Sequence, residues 1–193
     1  SREDLVNNIK YLNPDLIFFS GDQVYDHSEH YLYWLKFGRD FGEILRNTPS
    51  IIIPDDHDIG HGNLWGQGGK KADSRRGISG GYYMSPEYVK EVERAQTSHL
   101  PDPFDPTPVE QGIGVYYTDL KWGGMSFAIL EDRKFKDGLD AMVKQNPDVF
   151  PDGGYEAIFD PKVDTRKLDV PDGALLGERQ LKFLEEWTTD WKN

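Results

Sequence analysis

The sequence predicts a mixed α/β fold, and three observations carry that expectation. Two short apolar runs, Leu16 to Phe19 and Ile51 to Ile53, each follow a stretch with helical periodicity. Each run ends in carboxylates, Asp22 after the first and Asp55 with Asp56 after the second. Alternating helix and buried strand favours neighbouring parallel strands, and open α/β sheets place ligands at the carboxyl ends of such strands.

Taken in order, Leu5, Ile9 and Leu12 recur at helical spacing over residues 2–12, and Asn13-Pro14 ends that helix before the LIFF run. A second helix is expected from about Ser28 to Arg46, with Tyr31, Leu32, Leu35, Ile44 and Leu45 on one face despite Gly38 and Gly42. The segment Gly60 to Gly81 is glycine-rich, has no apolar periodicity and is too long for a simple connection. Ser85-Pro86-Glu87 opens a helix to about His99, Pro86 suiting the first helical position. GVYYTDL (Gly114 to Leu120) and MSFAILED (Met125 to Asp132), joined by KWGG, read as a β-hairpin. From Lys136 to Gly173 an irregular insertion is expected, followed by a helix from Gly177 to about Lys192 with Leu181, Leu184, Trp187 and Trp191 near one stripe. No repeat or linker interrupts residues 1–193, which are expected to form a single domain.

Composition narrows the function. The chain has 22 Lys+Arg against 34 Asp+Glu, a formal net charge of −12, which repels a nucleic-acid backbone and argues against a scaffold role there. An aromatic share of 13% is too rich for a disordered acidic segment. Without cysteine, neither a disulfide framework nor a thiolate ligand or nucleophile is available within these residues. No apolar run approaches the roughly 20 residues that span a bilayer, so no transmembrane segment is expected. The start SREDLVNNIK has no signal-peptide hydrophobic region, as in a segment cut from a longer precursor.

Two strand-end constellations carry chemistry. Asp22 and Tyr25 sit three residues apart on the turn leaving the first strand. A carboxylate is a hard ligand and a phenolate suits Fe(III), so one ion can take both; equally, Asp22 can cap the next element while Tyr25 packs at the surface. The second is PDDHDIGHGN, Pro54 to Asn63, with three carboxylates, two histidines and an asparagine. So many like charges together are unfavourable unless a cation neutralises them. Arg133 can offer a planar fork to phosphate or pair with Glu131 or Asp132. Lys70, Lys71, Arg75 and Arg76 can attract an anion or form a solvated loop, and His27 and His61 are auxiliary metal or phosphate contacts or ordinary surface histidines.

GDQVY resembles the GDxxY motif of metallophosphoesterases that use a tyrosine ligand, and PDDHDIGHGN resembles the DDH[DE] plus Asn motif of PhoD-like alkaline phosphatases. SPEYVKEVERAQTSHLPDPFDPTPVEQGIGVYYTDL, SFAILEDRKFK and LLGERQLKFLEEW are similar to that family as well. The resemblance implies a metallophosphatase-type four-layer α/β/β/α sandwich, incomplete in this segment, that hydrolyses phosphate monoesters or diesters with a metal-activated hydroxide. It implies Fe(III) with Ca(II) or another divalent ion: Asp22 bridging, Tyr25 on the ferric ion, Asp56 or Asn63 on the second. His57 would contact the scissile phosphate or protonate the leaving group, Asp58 would orient His57, and Arg133 would bind substrate. A small phosphate ester is the implied partner, and the implied location is periplasmic or extracellular.

Members of that family draw further ligands from an Asp motif ahead of the first helix and a GDxH-type motif after the last. These residues are therefore expected to be an internal segment lacking both, poorly active alone, and open to oligomerisation through uncovered sheet edges. The competing expectation is a non-catalytic acidic domain of the same fold that binds a metal or a partner.

Overall fold

Asn13 adopts a left-handed conformation (φ 45°) and donates its N–H to Ile9 O, closing helix α1 (Glu3–Leu12) just ahead of Pro14. The computed structural model describes residues 2–73, 78–152 and 156–190, and in them helices combine with two small sheets as a mixed α/β chain. The chain continues through strand β1 (Ile17–Phe19), helices α2 (His30–Asp40) and α3 (Gly42–Asn47), strand β2 (Ser50–Ile52) and helix α4 (Pro86–Thr97). It folds as two compact units, Ser1–Asn63 with Glu87–Pro101, and Leu64–Pro86 with Asp102–Asn193.

In the first unit β1 and β2 pair in parallel, Ile17 opposite Ser50 and Phe19 opposite Ile52. Strand alternation sends Ile17 and Phe19 into a core of Phe37, Phe41, Ile44 and Ile52, while Phe18 is 53% exposed. The Phe19 ring meets Phe37 and Phe41 edge-on, centroids 5.2 and 5.3 Å apart.

The expected helix faces are corrected here. The helix from Ser28 to Arg46 is broken at Phe41 (ψ 5°), whose N–H bonds Phe37 O while its carbonyl starts α3. That break turns Phe37, Phe41 and Ile44 inward and leaves Tyr31, Leu32 and Leu35 exposed, Leu35 at 70%. Two phenylalanine rings against Phe19 bury more apolar surface than the aliphatic stripe would. In α1 it is Val6 and Ile9 that face the core, with Leu5 and Leu12 exposed. Helix α4 starts at Pro86, whose missing N–H is no loss there, and buries Val89, Val92, Gln96 and Thr97.

In the second unit strands β3 (Thr118–Trp122) and β4 (Met125–Ile129) form an antiparallel hairpin. Its turn, Gly123-Gly124, has positive φ at both positions (58° and 79°), which two glycines adopt without a Cβ penalty. Val115 and Tyr117 precede the strand proper and pack on Phe183, with Leu184 and Trp187 beside them. These three residues, rather than Leu181 (55% exposed), define the inner stripe of the last helix; Trp191 and Lys192 lie outside the described residues, as do Arg75 and Arg76. The stretch expected to be irregular carries helix α5 (Asp140–Gln145) and a small core of Val143, Phe150 and Leu168, and helix α6 (Gly177–Thr189) follows it. Among the described residues no helix is long and apolar enough to cross a membrane.

Truncating Phe37 to alanine is expected to destabilise the first unit by about 3–5 kcal/mol in urea unfolding, against less than about 0.5 kcal/mol for Leu35→Ala.

Candidate metal centre

The β1–β2 register brings two chain exits level. Ile53 N–H still bonds Phe19 O (3.1 Å), so both strands leave the pair together, one into Gly21-Asp22 and the other into Pro54-Asp55-Asp56. A Cβ on Gly21 (φ 112°) would lie 2.2 Å from Asp55 Cβ, so the two exits touch because glycine stands there. Asp22 follows at φ 62°, a left-handed conformation that aspartate tolerates better than most residues.

Asp22, Asp56 and His57 each direct one ligand atom to a common place, all within 4.8 Å of one another. Asp56 is 5% exposed, and its carboxylate is fixed by backbone amides: Oδ1 accepts from His57 N (2.8 Å) and Oδ2 from Asn63 N (2.6 Å). Asp22 Oδ2 accepts the Tyr25 hydroxyl at 2.5 Å. Asp22 Oδ1 is buried without any hydrogen-bond partner. A buried, unpartnered carboxylate oxygen is unfavourable in the absence of a positive charge, so the residues present fit a cation. Two carboxylates and an imidazole suit a hard or borderline ion such as iron, manganese or zinc.

Asp58 has another task than orienting His57. It is fully buried, and its oxygens accept from Asp22 N (2.7 Å), Val24 N (3.0 Å), Asp55 N (3.0 Å) and Gln96 Nε2 (2.9 Å), with no hydrogen bond to His57. Burial pushes its carboxyl above the ordinary carboxylate range, and those four donors pull against that push. It is the tie between the strand exits. Gln96, which sequence reasoning passed over, completes this tie from α4; the available signal was an amide at a position in register with Val89 and Val92 on the buried face.

His57 is held instead by Tyr25, whose ring stacks on the imidazole at 4.2 Å with 25° between planes. The Tyr25 phenol is raised to about 12, first by its hydrogen bond to Asp22, then by burial and by the charges of Asp22, Asp56 and Asp58. Asn63 is exposed and reaches the centre through its backbone N–H. His27 tilts toward His57 at 6.0 Å between rings, and His61 contributes its N–H to Asp56 O (2.9 Å). Arg133 belongs to the second unit, where its Nε lies 3.7 Å from Asp132. Lys70 Nζ, in the same unit, reaches Ser79 O at 3.3 Å, and Lys71 is exposed.

Two outcomes follow from this geometry. Gly21→Ala is expected to destabilise the chain by about 3 kcal/mol through the clash with Asp55, read by denaturant unfolding. The Tyr25 proton is held more tightly in the folded chain than in the unfolded one, where the phenol titrates near 10.0. Its contribution to stability is therefore present below pH 10 and lost between pH 10 and about 12. In a phenolate absorbance titration of metal-free protein, Asp22→Asn is expected to move one tyrosine from about 12 back toward 10.0. Searches of protein-family models, of curated proteins and of solved structures found no match to this chain.

Proposed function

We propose that the chain carries the metal centre of a PhoD-like phosphate-ester hydrolase, with the four-layer metallophosphatase sandwich as its parent fold. The observation that supports it best is the convergence of Asp22, Asp56 and His57 around a buried Asp22 oxygen that has no partner. A solvated acidic turn would expose its carboxylates and satisfy them with water; Asp56 is instead 5% exposed.

Asp22, Asp56 and His57 would hold the ion, with Tyr25 Oη against Asp22 beside them. Iron(III), paired with calcium or another divalent ion, is the proposed complement, because a phenol next to hard carboxylates suits a ferric ion. When bound, such ions supply Lewis acidity toward phosphoryl oxygens and lower the pKa of coordinated water. The chain's own residues do the holding. Asp56 is locked by two backbone amides, so its oxygens keep their direction. Tyr25 keeps the imidazole of His57 in plane by stacking and keeps Asp22 Oδ2 in place through its hydroxyl. Asp58 fixes the Asp22 and Asp55 main chain, so the like-charged carboxylates are not free to relax apart. The proposal rests on the first unit alone, and Arg133 carries no part of it.

Titrating the chain with iron, calcium or manganese by calorimetry, and following bis-p-nitrophenyl phosphate hydrolysis with each metal, tests the reading. Metal uptake is expected to weaken at least about tenfold in Asp22→Asn and in His57→Ala. Hydrolysis is expected to be slow, metal-dependent and lost in the same variants. Ferric iron is expected to displace the Tyr25 hydroxyl proton now donated to Asp22 and take the phenolate as a further ligand, giving a visible charge-transfer band that Tyr25→Phe removes. Uptake indifferent to both ligand variants would sink the site, and uptake without any ester hydrolysis would point to the non-catalytic metal-binding alternative.

A further inference from the structure

We infer that Gln96 is a positioning residue of the metal centre, acting from helix α4 through Asp58. This inference rests on the metal-site reading above. Gln96 is fully buried on the same face of α4 as Val89 and Val92, positions where an apolar side chain would fill the space without a polar group to satisfy. Its Nε2 donates to Asp58 Oδ1 at 2.9 Å across 38 residues of sequence. That oxygen otherwise receives Val24 N–H, while Oδ2 receives the N–H groups of Asp22 and Asp55. One carboxylate thus joins Gln96 to the backbone of a ligand residue, Asp22, and to that of the residue preceding another, Asp56.

The chemistry of the amide suits the task. A neutral donor directs Asp58 without adding a charge that would compete with a cation or shift the balance among the carboxylates. A lysine at the same place would neutralise Asp58 and oppose cation uptake nearby. Helix α4 holds Asp58 a second time, through the Tyr88 hydroxyl on the Asp58 main-chain oxygen at 3.3 Å. The Gln23 side-chain amide, turned so that both its ends are satisfied, also donates to the Asp58 carboxylate, 2.9 Å from Oδ2 and 3.2 Å from Oδ1. Removing the Gln96 amide takes away the side-chain donor that α4 supplies to that carboxylate and loosens the group that directs the Asp22 exit. Partners one shell outside the ligands set ligand direction in metal sites generally, and losing one lowers metal affinity about 10–100-fold.

The test compares wild type, Gln96→Met, Val92→Ala and Asp22→Asn by calorimetric titration with manganese and by urea unfolding of the metal-free chain. Val92→Ala removes buried apolar volume from the same helix without touching Asp58, so it reports what general destabilisation does. Gln96→Met is expected to bind manganese about tenfold more weakly than wild type, with Val92→Ala unchanged in affinity at a comparable loss of stability. In the metal-free protein the Asp22 and Val24 amide proton resonances are expected to shift in Gln96→Met and not in Val92→Ala. Should Gln96→Met fail to fold, Gln96→Leu takes its place, with the same expected loss of manganese affinity. If Asp22→Asn abolishes uptake while Gln96→Met, or its substitute, leaves it unchanged, the inference falls and the metal site stands. An equal fall in Val92→Ala also overturns it. If the wild-type chain takes up no metal, the site and this inference fall together.

Discussion

Everything at the centre depends on one buried carboxylate. Asp58 has no access to water, and transferring an ionised carboxyl into such a place is strongly unfavourable by itself. Three main-chain amides from the two strand exits and the side-chain amides of Gln96 and Gln23 converge on it. Hydrogen bonds to a charged acceptor are roughly twice as strong as neutral ones, so this arrangement offsets much of the desolvation. The consequence is geometric. The exit after β1 and the exit after β2 are joined at one oxygen, Oδ2, which accepts from both Asp22 N–H and Asp55 N–H, the Asp22 bond spanning 36 residues of sequence.

With the exits joined, the remaining charges have little freedom. Asp22 and Asp56 repel one another, and each is restrained by local donors: the Tyr25 hydroxyl on one, the His57 and Asn63 amides on the other. Those donors use some of the carboxylate lone pairs and leave Asp22 Oδ1 facing no partner. Charge, direction and burial together define what the place accepts. A neutral or anionic group would find two carboxylates already crowded, whereas a cation relieves the repulsion and satisfies the orphaned oxygen at once.

The strand exits were legible in the sequence because their signals are local. A short apolar run followed by Gly-Asp, and another followed by Pro-Asp-Asp-His, fixes where the carboxylates stand on any parallel pair. The helix faces were less legible, since Leu32 and Leu35 match the helical period as well as Phe37 does, and only the bend at Phe41 decides between them. Asp58 was misassigned for a related reason. In the string Asp-Asp-His-Asp every carboxylate looks like a ligand or an orienting partner for the imidazole. Which one turns inward depends on donors from β1's exit and from α4, and no spacing within the string encodes those.

Stability and metal loading are coupled in such a centre. Asp22 at φ 62° holds a left-handed backbone conformation that most residues avoid, beside a second carboxylate, Asp56, so the exits carry both local strain and like-charge repulsion. The aromatic core of Phe19, Phe37 and Phe41 lies directly behind β1 and supplies the packing that keeps those exits in place. An ion that binds the folded form and not the unfolded chain adds stability in proportion to the logarithm of its concentration over its dissociation constant. The strain and the repulsion act in the opposite direction on affinity: because the core and Asp58 already hold these side chains together against them, an ion taken up there would meet a preorganised group and need not assemble it.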